Sequence, residues 1–153
     1  MKNYFDLTGR VAIVTGCSTG LGVQMARALA NQGCTIVPIA RRLEKLQEVA
    51  RMLTDEFGVE AYPIRCDITS TEMVESMVDE VMAKYGRIDV LINNAGTGAV
   101  APAEDITDDQ FANEMNIDLF GSFKVARCGK ESHDTCKVRP HHQYCINVWP
   151  RGQ

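Results

Sequence analysis

Apolar positions fall into two kinds of block that take turns along the first four-fifths of the chain. Short apolar runs are bounded by glycine or polar residues, and longer segments carry apolar residues at helical spacing. Arg10 to Thr15 (RVAIVT) is a continuous apolar run ending at glycine, which predicts a strand buried on both faces. Gly20 to Gln32 predicts a helix with Leu21, Met25, Ala26 and Leu29 on one face and Gly33 closing it. Thr35 to Ala40 predicts strand two, Leu43 to Phe57 helix two with Gly58 past its end, and Glu60 to Cys66 strand three. Thr69-Ser-Thr-Glu72 reads as a capping box opening a helix with Met73, Val74, Met77, Val78, Val81 and Met82 at helical spacing, ended by Gly86. Ile88 to Asn93 predicts strand four. Thr107-Asp-Asp-Gln110 reads as a second capping box, opening a helix to about Arg127.

This βαβαβαβα order predicts an α/β fold, a doubly wound parallel sheet with strand order 3-2-1-4 and helices on both faces. Ligands of such sheets bind beyond the carboxyl ends of the strands, at the point where the order reverses. The informative residues should therefore follow strands. After strand one comes Thr15-Gly16-Cys17-Ser18-Thr19-Gly20-Leu21-Gly22. Gly16 can take a positive φ, Gly20 lets backbone approach a phosphate, and Gly22 allows close helix–strand packing. The helix start then offers N–H groups and a positive dipole to a pyrophosphate. Asp67 and Ile68 follow strand three, and Asn93-Asn94-Ala95-Gly96 closes strand four.

The TGxxxGxG spacing, the NNAG after strand four and the acidic Asp67 after strand three together resemble the short-chain dehydrogenase/reductase family, over residues 5 to 127. The FDLTGRVAIVTG opening is similar to the gluconate 5-dehydrogenase-like branch. The resemblance implies a Rossmann-type fold, hydride transfer between a nicotinamide cofactor and a carbonyl or hydroxyl of a small sugar acid, polyol or oxoacyl substrate, and homo-oligomeric intact relatives. It implies a cofactor site at Gly16, Ser18, Thr19, Gly20, Leu21, Gly22, Arg41, Asp67, Ile68, Asn94, Ala95 and Gly96, with Asp67 on the adenine. Ala40 stands where NAD-dependent folds place an Asp or Glu on the ribose. With no carboxylate there, and with Arg41 next, NADP is favoured over NAD. Thr19, where many NADP-preferring relatives carry a basic residue, weighs the other way, and Arg42 reads as a solvated residue at the start of helix two.

Catalysis in the family uses a Tyr as general acid/base, a Lys four residues on, a Ser and an Asn. The family's Asn position, 22 residues beyond Gly96, holds Asp118, with Asn116 nearby but out of register. The residues four after Tyr4, Tyr62, Tyr85 and Tyr144 are Thr8, Cys66, Asp89 and Val148, so no YxxxK is present. The alternative to an oxidoreductase is therefore a non-catalytic nucleotide-binding fragment.

Composition turns the last residues into a separate text. The chain has 153 residues, 45% hydrophobic and 24% charged, with net charge −4. Residues 1–127 carry 12 Lys+Arg against 18 Asp+Glu, and residues 128–153 carry 4 against 2. All three His, the one Trp and Cys128, Cys136 and Cys145 lie in that tail. With no basic block and no apolar run of membrane length, nucleic acid and membrane are not expected partners. The opening MKNYFDLTGR shows no apolar signal core, so a cytoplasmic location is expected. Cys17, Cys34 and Cys66 read as small buried residues. Cys128, His133, Cys136, His141, His142 and Cys145 are zinc-type ligands, but their irregular spacing assigns no metal site.

The genetic code offers a sharper reading of the tail. Read one base forward, residues 128–153 admit, with permitted codon choices, VAKKAMIPARYGRIINIASMYGLVG. His141 and His142 can give only Ile or Thr, Gln143 only Asn or Ser, Tyr144 only Ile or Thr, Cys145 only Ala or Val, and Trp149 must give Gly. GRIINIAS resembles the family's strand five, with its serine under Ile146. The expected organisation is thus an incomplete dinucleotide-binding domain over 1–127 and an irregular, out-of-frame tail over 128–153. Strand four would then be an open apolar edge, and Phe111, Met115, Leu119 and Phe123 would lack neighbours, making the product marginal or aggregating.

Overall fold

A computed structural model describes residues 5–98, 101–135 and 144–147. The elements are β1 (Val11–Thr15), α1 (Leu21–Ala30), β2 (Thr35–Ala40), α2 (Leu43–Phe57), β3 (Ile64–Arg65), α3 (Thr71–Tyr85) and β4 (Val90–Asn93). A 3₁₀ turn (Ala103–Asp105), α4 (Asp108–Met115), a π-helical stretch (Asn116–Gly121), α5 (Ser122–Thr135) and β5 (Tyr144–Asn147) follow.

Every strand pairing is parallel, and the first four strands run in the order 3-2-1-4. Because β1 and β2 are apolar at successive positions, they feed two cores at once. Val11, Ile13, Val37, Ile39 and Leu91 pack against Val74, Met77, Val78 and Val81 of α3 and Val125 and Cys128 of α5. Ala12, Val14, Ile36, Val90 and Ile92 pack on the other face with Ala26 and Ala30 of α1 and Leu46, Val49 and Leu53 of α2. The sheet is doubly wound, as the alternation of blocks predicts.

Four local details differ from expectation. β3 shrinks to two residues because Pro63 has no N–H to give the ladder. Pairing survives on either side of it, through Tyr62 N–H to Ile36 O and Cys66 N–H to Ala40 O. The cap of α3 is Ser70, whose hydroxyl accepts from Met73 N–H, because Thr69 has turned its hydroxyl to Asp67. The helix expected to run unbroken to Arg127 is interrupted by the π-helical stretch and continues to Thr135. Leu21, expected on the inner face of α1, is exposed. The Thr107–Gln110 capping box forms as read, with both reciprocal hydrogen bonds.

The largest correction concerns the edge. β4 is not the last strand: β5 lies parallel beside it, in the register Val90↔Tyr144 through Asn93↔Asn147. Tyr144–Asn147 thus supplies a strand within the segment expected to be irregular, and it pairs the edge that β4 would otherwise expose. Cys128, just past the compositional seam, is buried in the core. The apolar side chains of Phe111, Leu119, Phe120 and Phe123 are exposed. Side chains of His133, Cys136, His141, His142, Cys145 and Trp149 lie outside the described residues.

At the opposite end of the sheet from the cavity described next, Asp89 ties β1 to β4. Its Oδ2 accepts from Val11 N–H at 2.9 Å and Arg87 Nε at 2.7 Å, and its Oδ1 from an Arg10 guanidinium N–H at 2.8 Å. Burial pushes its carboxyl up, but the hydrogen bonds from Arg87, Arg10 and Val11 outweigh that and hold it below its ordinary value. A depressed folded-state pKa contributes stability that is complete above the unfolded value, about 4. That stability is lost as pH falls through the lowered pKa. Asp89→Asn is expected to cost about 2 kcal/mol at neutral pH. It should also flatten the acid limb of stability, both read from urea unfolding at pH 3 to 7.

Candidate functional site

The site is built at the carboxyl ends of the strands, from the turn after β1 outward. Gly16 sits at φ +65, and a Cβ there would lie 2.7 Å from Ala95 Cα. A Cβ on Gly22 would lie 2.6 Å from Gly16 O. The first glycine therefore brings the β1 turn against the loop after β4, and the third brings α1 against the turn. A Cβ on Gly20 would meet nothing within 4 Å, so open space lies beside the backbone at the start of α1.

A compact hydrogen-bond latch joins the two loops. The fully buried Thr15 hydroxyl oxygen accepts from Asn94 N–H and Ala95 N–H, both at 2.9 Å. Asn94 Nδ2 donates to Thr15 O at 3.0 Å and Gly16 O at 3.3 Å. Asn94, read as a cofactor contact, spends its side-chain amide on the glycine turn. The residues of its loop that face the cavity are Ala95, Gly96 and Thr97.

The cavity beyond the latch has a volume of about 510 Å³. One wall is Gly16, Ser18 and Thr19; the second is Ile39, Ala40, Arg41 and Arg42 from the end of β2; the third is Cys66, Asp67, Ile68 and Thr69. Asn113, Asn116 and Ile117 close the fourth side. Eight of the twelve residues read as cofactor-binding line this space, while Gly20, Leu21, Gly22 and Asn94 form the turn and latch behind it. Arg42, read as solvated, donates toward Ser18 Oγ at 3.4 Å and joins the lining.

Asp67 holds its own loop. Its Oδ1 accepts from Thr69 N–H at 3.0 Å and the Thr69 hydroxyl at 2.7 Å. The Thr69 amide lowers its pKa most; burial opposes this, and the Thr69 hydroxyl and the charges of Arg41 and Lys124 lower it further. Asp118 is committed as well: its Oδ1 accepts from Thr97 N–H at 2.9 Å, fixing the loop after NNAG. Asn116, out of register by sequence counting, faces the cavity with Asn113 and Ile117. Their i, i+3 and i, i+4 spacing was the available signal, and the π-helical stretch, of a kind frequent at functional sites, could not be read from it.

Buried thiols add no chemistry here, since burial pushes Cys17 up to about 12 and Cys66 up to about 11. Among the described residues no group of three His, Cys, Asp or Glu could hold a metal, and no helix is long and apolar enough to cross a membrane.

This is the geometry of a nucleotide-binding α/β sheet, and comparison with known proteins names the class. The short chain dehydrogenase family model matches residues 10–132, and the chain belongs to that family of oxidoreductases. It is 36% identical over 121 residues to a peroxisomal 2,4-dienoyl-CoA reductase of Danio rerio, covering 79% of this chain and 40% of that protein. Its fold matches the crystal structure of L-sorbose reductase from Gluconobacter frateurii complexed with NADPH and L-sorbose. There the TM-score is 0.79 and identity 30%, over 86% of this chain and 50% of that one. It matches NAD+-bound xylitol dehydrogenase with TM-score 0.80 and identity 36%, over 84% and 50%. The chain thus spans half or less of the length of these relatives. Their named substrates range over acyl-CoA, ketose and polyol compounds, so no one substrate branch, the gluconate 5-dehydrogenase-like one included, is singled out.

Gly22→Ala is expected to destabilise the fold by about 1–3 kcal/mol, because its Cβ meets backbone that cannot swing away. Gly98→Ala, whose Cβ meets nothing within 4 Å, should stay within about 0.5 kcal/mol. Chemical denaturation of the two variants side by side checks the contrast.

Proposed function

We propose that the cavity binds a nicotinamide dinucleotide, with NADP preferred over NAD, and that the reading frame derives from an NADP-dependent oxidoreductase of small sugar acids, polyols or oxoacyl compounds. The observation that carries this is the wall at the end of β2. Ala40 stands where a ribose-binding carboxylate would repel a 2′-phosphate, and Arg41 and Arg42 flank it on the cavity. A guanidinium can meet that phosphate through a charge-assisted fork. The open backbone at Gly20 and the N-terminus of α1 suit the pyrophosphate. Asp67, on the opposite wall, suits the adenine amino group. The bound cofactor would supply or accept the hydride.

The chain itself holds and orients but lacks the Tyr–Lys pair with which the family moves the substrate proton. No Tyr in it is followed four residues on by Lys, and Asp118 is engaged with Thr97 N–H. We therefore read the chain as written as a nucleotide-binding, non-catalytic product acting in the cytoplasm. Its residues from about 128 are translated one base out of the family's frame. What supports this is the codon arithmetic: His141, His142, Gln143, Tyr144 and Cys145 each admit the residues of the forward frame's GRIINIAS.

Two measurements test it. Arg41→Ala should weaken NADP binding by about 1.5–3 kcal/mol and leave NAD unchanged, read by calorimetric titration. Equal affinities for the two cofactors, indifferent to Arg41, would refute the preference. DNA sequence across codons 125–155 should show that a one-base shift opens a longer frame with a YxxxK. The corrected protein should turn over with NADP while the 153-residue chain does not. An early stop in the forward frame, or turnover by the chain as written, refutes the frame reading.

A further inference from the structure

The loop that carries Asp67 is held from a helix remote in sequence. The π-helical stretch and α5 meet it at two points one turn apart. Gly121, the last residue of the π-helical stretch, lets Ile68 pack where a Cβ would stand 2.8 Å from its Cδ1 and Cγ1. Lys124 then donates its ammonium to the Thr69 carbonyl at 2.6 Å in a partly buried setting. The same stretch reaches the opposite loop, since Asp118 accepts from Thr97 N–H. The loop's other restraints are local: the turn within Asp67–Thr69, Ser70 N–H to Asp67 O, and the cap of α3.

We propose that Lys124 is a positioning residue for the base-binding end of the cavity, its hydrogen bond to the Thr69 carbonyl setting how far Asp67 and Ile68 stand from the Gly16–Thr19 wall. This rests on the dinucleotide reading above. Lys124 itself is not among the cavity-lining residues, so it acts through the backbone it holds. An ammonium–carbonyl bond is charge-assisted and stronger than a neutral one, and it joins α5 to a loop of only a few residues. Losing it would leave Asp67 in its own turn but let that turn move relative to the glycine loop.

The test uses the full chain with Lys124→Met, which keeps the stem and removes the donor, and Lys124→Arg, which keeps a donor. Binding of 2′,5′-ADP and of NADP is measured by titration, and backbone amide exchange is followed without ligand. Lys124→Met should weaken both ligands about tenfold, and Lys124→Arg should restore them to within about threefold of the unmodified chain. Exchange at residues 67–70 should quicken in Lys124→Met while β1 is unchanged. Unaltered binding in Lys124→Met, an arginine variant as weak as the methionine one, or exchange raised equally in β1 overturns the proposal. If the unmodified chain binds neither ligand, the dinucleotide reading fails, and exchange at 67–70 alone decides whether Lys124 holds the loop.

Discussion

Two loops from strands some eighty residues apart must touch for the cavity to exist, and the Thr15 hydroxyl is where they do. It is buried and accepts two backbone amides from Asn94 and Ala95, while the Asn94 amide returns to the backbone of Thr15 and Gly16. The glycine at 16 follows from it, because any side chain there would push the β4 loop off. The glycine at 22 follows in turn, since α1 must close on the same turn. At the far end of the sheet the Asp89 carboxylate spans the same two strands. β1 and β4 are therefore clamped at both ends, and the neighbouring elements hang from that pair.

The cavity walls have different mechanical origins. The glycine wall and the Arg41 wall rise directly from the ends of β1 and β2, which pair with each other along five residues. The Asp67 wall rises from β3, which has only two residues in the ladder and a proline beside them. That wall takes its support from the π-helical stretch and α5 instead, through Ile68 against Gly121 and Thr69 against Lys124. One short stretch, 118 to 124, thereby touches the loops on two sides of the cavity. The extra residue per turn in the π-helical stretch alters the phase between Asp118 and Lys124 relative to a regular helix.

Much of this was legible in the residues. The short apolar runs within 10–15 and 35–40, each bounded by turn or polar residues, read as two-sided strands, and the positions of Gly16, Arg41 and Asp67 after strands located the cavity. What was not legible depends on partners far off in sequence. Asn94 looks like a ligand contact until Thr15 and Gly16 are seen beside it. Thr69 looks like a helix cap until Asp67 claims its hydroxyl, and the cap passes to Ser70. Asp118 could be counted to its place but not oriented, because the π-helical stretch lies around it. Tyr144 to Asn147 includes the strand formers Tyr144 and Ile146, but four residues in a polar tail do not show which edge they will meet.

That last strand also sets an order of events. β4 and β5 pair across about fifty residues of chain, so the contact closes a long loop before it returns any stabilisation. Such non-local parallel pairing is slow compared with the formation of the helices between them. During synthesis the first four strands are complete and free to associate well before Tyr144 leaves the ribosome. For that interval the β4 edge, Val90 to Asn93, is bare apolar backbone. Association through that edge rises with chain concentration, whereas closure by β5 within one chain does not, so the two compete for the same backbone.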